Sequence, residues 1–93
     1  MKIQAFDSVW DAIEDTPAEA ENMKLRSELI IALDRHITKN KISQAAAAKL
    51  FGVTQPRISD LLRGKINLFS LDALINMAVA AGLKVKLQIS KAA

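Results

Sequence analysis

The 93-residue chain contains no cysteine. A disulfide framework, a thiolate metal site and a cysteine nucleophile are therefore excluded, and a reducing cytoplasm suits the sequence. His36 is the only histidine, and no second ligand or nucleophile is spaced with it. It reads as a surface or helix-end residue. Aromatic residues make up 4% of the chain, too few for a platform that stacks single-stranded nucleic acid. The three glycines are scattered, so no phosphate-cradling loop is present. The longest apolar run, Ala73 to Leu83, is broken by Asn76 and is too short to span a bilayer. Lys2 is followed by Asp7 before any apolar run, which is not the pattern of a signal peptide. These absences argue against an enzyme, a bound metal or cofactor, and a membrane protein.

What is present is a core and an uneven charge. Half of the residues, 51%, are hydrophobic. That suffices for one small domain, and a chain this short gains from dimerising. The net charge is +3, but the two halves differ in sign. Residues 1–40 hold five Lys/Arg against eight Asp/Glu, and residues 41–93 hold eight against two. Six of the acids fall within residues 7–21, where no base occurs. The basic half attracts a polyanion, whereas the acidic segment is repelled by one and suits a basic partner.

Three parts follow along the chain. Residues 1–16 form an acidic amphipathic segment, in which residues 1–6 read equally as a short strand or a disordered start. Phe6, Val9, Trp10 and Ile13 share one helix face at i, i+3, i+4, i+7 spacing. Ser8 and Asp11 resemble a capping box. That apolar stripe either packs on its own domain or lies in a partner's groove, and the charge bias favours the partner. Residues 17–82 are helical. Thr16-Pro17-Ala18-Glu19 is a start signal, and the helix it opens runs to about Lys39, with Asn40 as a left-handed cap. Arg26, near the middle of its apolar face, snorkels or pairs with an acid. Ser70 caps a last helix, stapled by Phe69 and Leu74. That helix has little polar surface and ends at Gly82. Residues 83–90 alternate apolar and polar strictly, which predicts a strand. Such a strand needs a partner, in residues 2–6, in a second subunit or in another protein.

The centre of the chain is Ser43 to Lys65. Ser43 and Thr54 stand where a hydroxyl caps a helix, Gly52 and Gly64 where a helix ends, and Pro56 in a first turn. Two short helices around a glycine turn, the second carrying basic residues, form the layout of a helix-turn-helix over residues 43–64. Ala47, Ala48, Leu50 and Phe51 face inward from the first, and Ile58, Leu61 and Leu62 from the second.

Residues 42–65 resemble the Xre/Cro-type helix-turn-helix repressors through Gln44, Ala48, Gly52-Val53-Thr54, Ile58-Ser59 and Arg63-Gly64. The whole chain resembles the small HigA-like antitoxins of toxin–antitoxin pairs. The resemblance implies a cytoplasmic, nucleoid-associated homodimer on a palindromic DNA operator. It also implies repression of the protein's own operon and neutralisation of a small basic RNA-cleaving toxin. A regulator without a toxin is the alternative. The family often carries Glu where Leu62 stands, and an apolar contact with Ile37 is the expected substitute for its ion pair.

Chemistry singles out the same face. Gln55, Pro56, Arg57, Ser59 and Asp60 lie at the start of the second helix, the part that enters the major groove. Gln pairs bidentately with adenine and Arg with guanine. Asp60 either accepts from a cytosine amine or, the favoured reading, orients Arg57. Gln44, Thr54, Arg63 and Lys65 are placed to hold phosphates. The expected architecture is a mainly α, compact helical bundle with a central helix-turn-helix and a short C-terminal β-strand.

Overall fold

The computed structural model describes residues 16–91. The strand or disordered start expected at residues 1–6 and the amphipathic stripe of Phe6, Val9, Trp10 and Ile13 lie outside these residues. The described chain folds as α1 (Pro17–Lys39), α2 (Gln44–Phe51), α3 (Gln55–Leu62), a 3-10 turn at Ile66–Leu68, and α4 (Leu71–Ala80).

Local chemistry sets the helix starts. The hydroxyl of Thr16 accepts from the Glu19 amide at 3.0 Å, Ser43 from Ala46 at 3.1 Å, and Ser70 from Ala73 at 3.1 Å. Each satisfies one donor that a first turn leaves unpaired. Thr54 holds the same place before α3, but its side chain makes no such bond. The donor used by the other three caps lies three residues on, and here it is the Arg57 amide. The Arg57 amide turns to the Thr54 carbonyl instead, at 3.1 Å. The capping expected of the Thr54 hydroxyl is thus corrected.

The ends share one device. After each helix a residue takes a positive φ, and the next amide reaches back to a carbonyl five residues earlier. Those amides are Ile42 to Ile37, Val53 to Ala48, Lys65 to Asp60 and Leu83 to Ala78, at 2.9–3.1 Å. Gly52, Gly64 and Gly82 hold the left-handed position after α2, α3 and α4. After α1 it is Lys41, at φ 52°, and not the expected Asn40, whose φ is −95°. Asn40 donates its side-chain amide to the His36 carbonyl at 2.8 Å, so it closes the helix by a different route. A left-handed L-residue costs about 1–2 kcal/mol, of which glycine's extra backbone entropy gives back about 0.5–1. Lys41→Gly is therefore expected to raise the unfolding free energy by about 0.5–1 kcal/mol, as read by a denaturant melt.

The core lies where α1 crosses the helix-turn-helix and α4. Leu33, Ala47, Phe51, Ile58, Leu61, Phe69 and Leu74 are almost fully buried. Leu62 packs against this cluster, which contains Ile37, the residue expected to meet it in place of the family's ion pair. Ala47 and Ala48 are the small residues that let α2 lie close to its neighbours. α4 buries Leu74, Met77 and Ala78, yet Val79 remains 61% exposed.

The expected C-terminal β-strand is not formed. Among the described residues there is no strand at all. Alternation identifies apolar side chains, but a strand exists only when its N–H and C=O groups pair with a neighbour, and no described segment supplies one. The segment leaves the body step by step. Leu83 still packs on the core, Val85 is 38% exposed, and Ile89 is 88% exposed. Val85 and Leu87 border an apolar groove with Leu25 and Leu29 of α1 and Leu71 and Ile75 of α4.

Candidate nucleic-acid interface

α2 and α3 pack on one another and on the rest of the body through Ala47, Ala48, Phe51, Ile58 and Leu61. Their opposite sides therefore face solvent. The structure brings Gln44, Thr54, Gln55, Pro56, Arg63 and Lys65 to that surface as exposed residues. Arg57, Ser59 and Asp60 are half-buried there. Gln55 and Pro56 open α3, and Ser59 and Arg63 follow on the next turns of the same face. A hydroxyl, an amide and cations at the start of a short helix are the groups that read base edges and hold phosphates. The Thr54 hydroxyl, which makes no capping bond, stands beside them.

Two side chains are engaged differently from expectation. Asp60 does not meet Arg57 but pairs with Lys65, Oδ1 to Nζ at 3.5 Å. Both partners keep solvent contact, so the pair contributes little stability, but it places the Lys65 charge beside the end of α3. Arg57 reaches across to the connector after α3. Its Nη1 donates to the Leu68 carbonyl at 2.8 Å, and its guanidinium carbon lies 4.2 Å from the centroid of the Phe69 ring. Such a stack is worth about 0.5–1 kcal/mol at a partly exposed site.

Arg26, expected to snorkel or to pair with an acid, meets a side-chain amide and a backbone carbonyl instead. Its Nε donates to Asn22 Oδ1 at 2.6 Å and its Nη1 to the Phe69 carbonyl at 3.2 Å. Nothing in the sequence marked these bonds. The Arg26–Phe69 and Arg57–Leu68 bonds join residues 43 and 11 positions apart, and no helical or strand period connects such positions. His36 stands edge-on to Phe51, ring centroids 6.3 Å apart. Among the described residues no group of three or more metal-ligating side chains is gathered. No described helix is long and apolar enough to cross a membrane.

Lys65→Ala removes one cation from this face. It is expected to lower the dependence of log K for DNA on log salt by about 0.9 and to weaken specific and random DNA alike. Binding titrations at several salt concentrations read both effects.

The comparisons agree with this geometry. The profile of a family described as a helix-turn-helix domain matches residues 12–90. A solved structure assigned to the XRE family of transcriptional regulators superposes with a TM-score of 0.72 at 34% identity, covering 78% of this chain and 82% of that one. No curated protein matches the chain. The fold and a family profile that spans most of the sequence converge, and the chain belongs to the XRE-type helix-turn-helix family of DNA-binding transcriptional regulators.

Proposed function

We propose that the chain is a sequence-specific repressor and the antitoxin of a toxin–antitoxin pair. It represses its own operon and neutralises a small basic RNA-cleaving toxin. The observation that carries the DNA half is the exposed Gln55, Pro56 and Arg63, with a half-buried Ser59 between them, over a fully buried Ile58 and Leu61. Gln55 and Ser59 read base edges. Gln44, Thr54, Arg63 and Lys65 hold phosphates, with Asp60 steering Lys65. Arg57 belongs to the same site. Two copies on a palindrome place their reading helices about 34–36 Å apart. The exposed apolar Val79, Leu87 and Ile89 favour such a homodimer. The protein acts on the nucleoid in the cytoplasm and needs no cofactor.

The toxin half rests on charge. The segment with Phe6, Val9, Trp10 and Ile13 is acidic where the rest of the chain is basic. It suits a cationic partner and would repel DNA. A deletion of residues 1–15, which keeps the Thr16 cap, is expected to abolish toxin neutralisation and leave operator binding within about twofold. Co-expression with the neighbouring gene tests this directly. A small basic protein that co-purifies with the full chain and not with the deletion supports the antitoxin reading. A chain that binds its operator but retains no such protein is a regulator without a toxin.

A further inference from the structure

Leu68 and Phe69 connect the reading helix to α4, and two arginines hold them. Phe69 is extended, at φ −125° and ψ 120°, and successive carbonyls of an extended chain turn to opposite sides. Arg57 of α3 takes the Leu68 carbonyl at 2.8 Å. Arg26 of α1 takes the Phe69 carbonyl at 3.2 Å. The Phe69 ring between them is 0% exposed, and the Arg57 guanidinium lies over it at 4.2 Å. A charged donor on a carbonyl makes a stronger hydrogen bond than a neutral one, and the planar guanidinium does what an ammonium cannot, donating and stacking at once.

We propose that Arg57 is a positioning residue: together with Arg26 it clamps the Leu68–Phe69 connector and thereby fixes the angle at which α3 is presented to DNA. This rests on the DNA-reading function proposed above. A reading helix of eight residues has little length of its own to hold its direction. It is anchored at its start by the turn after α2 and beyond its end by this connector. Arg57 sits in the first turn of α3, and the connector that follows the helix in sequence comes within reach of its side chain, so Arg57 ties the two anchors together. α1 carries none of the DNA-facing residues. The same clamp therefore has one arm beside DNA and one arm away from it.

That asymmetry supplies the test. Variants Arg57→Gln, Arg57→Lys, Arg26→Gln and Lys65→Gln are prepared in the full chain. Hydrogen exchange is followed at the Leu68 and Phe69 amides, which donate to Lys65 and Ile66. Binding is measured to the protein's own upstream DNA and to random DNA of equal length, across a salt series. The clamp predicts that Arg57→Gln and Arg26→Gln both speed exchange at the connector about tenfold. Both lower the ratio of specific to random binding about tenfold, across all positions of the half-site, at an unchanged salt slope. Arg57→Lys behaves as Arg57→Gln, because charge without the planar fork does not restore the clamp. Lys65→Gln lowers the slope by about 0.9 and leaves exchange unchanged. Three results would overturn the proposal. One is Arg57→Gln relaxing a single base pair, or lowering the slope, with connector exchange as in the wild type. Another is Arg57→Lys restoring full binding. The third is a silent Arg26→Gln. A wild-type chain that binds no DNA defeats the functional reading, and exchange still decides whether the two arginines clamp the connector.

Discussion

Phe69→Ala is expected to lower the unfolding free energy by about 3–5 kcal/mol. The ring is fully buried in the cluster that joins α1, α3 and α4. It lies just before the Ser70 cap, where it staples Leu74 at the entry to α4. Truncation leaves a void that three helices border, and it removes the surface on which the Arg57 guanidinium rests. For a domain of this size each kcal/mol shifts Tm by about 4–8 °C, so a fall of at least about 12 °C follows. Leu68, its neighbour, is 49% exposed, and Leu68→Ala should stay within about 1 kcal/mol. Thermal melts of the two variants side by side check the claim. A Phe69→Ala melt close to that of Leu68→Ala would mean that the connector does not hold the helices together.

Gln55→Ala is expected to cost about 1–3 kcal/mol of discrimination at one base pair of each half-site. That amounts to roughly 5- to 150-fold. Binding to random DNA should hold to within about twofold, because a neutral side chain releases no counterions. Gln55 opens α3 and is exposed, so its removal leaves the packing of Ile58 and Leu61 untouched. Stability should change by less than about 0.5 kcal/mol. A base-by-base substitution series of the operator, read with both proteins, shows whether the loss falls on one position.

Much of the scaffold was legible because it follows local rules. Ser43 and Ser70 cap, Pro17 starts a helix and Gly52, Gly64 and Gly82 end them, each for a reason confined to a few residues. The exceptions are local as well. Thr54 makes no side-chain cap bond, because the Arg57 amide, which stands where the other three caps find their donor, goes to the Thr54 carbonyl. Lys41 takes the left-handed turn one residue beyond Asn40 because the α1 ladder runs to Lys39 and Asn40 still closes on His36.

The α3 face proposed to read DNA was legible as a run of solvent-facing residues and less so as a set of bonds. Spacing located Gln55, Ser59 and Arg63 on one side of a helix. It offered no way to see that Arg57 would find Leu68 and Phe69 across the connector, or that Asp60 would turn to Lys65. Long side chains choose among several neighbours, and that choice depends on the tertiary path. The C-terminal segment shows the same limit more sharply. Its alternation describes the side chains of residues 83–90 correctly as apolar and polar by turns. Strand formation depends on backbone partners, and the described chain offers none.

The account turns on sequence-specific DNA reading by the exposed start of α3. The most direct measurement is binding of the full chain to the DNA upstream of its own gene and to a scrambled duplex of equal composition, each over a range of salt. The account predicts that the upstream DNA binds at least about a thousandfold tighter at physiological salt. It also predicts that log K for both falls linearly with log salt and that Gln55→Ala narrows the difference between them. Equal affinity for the two duplexes, unchanged by Gln55→Ala, would contradict it.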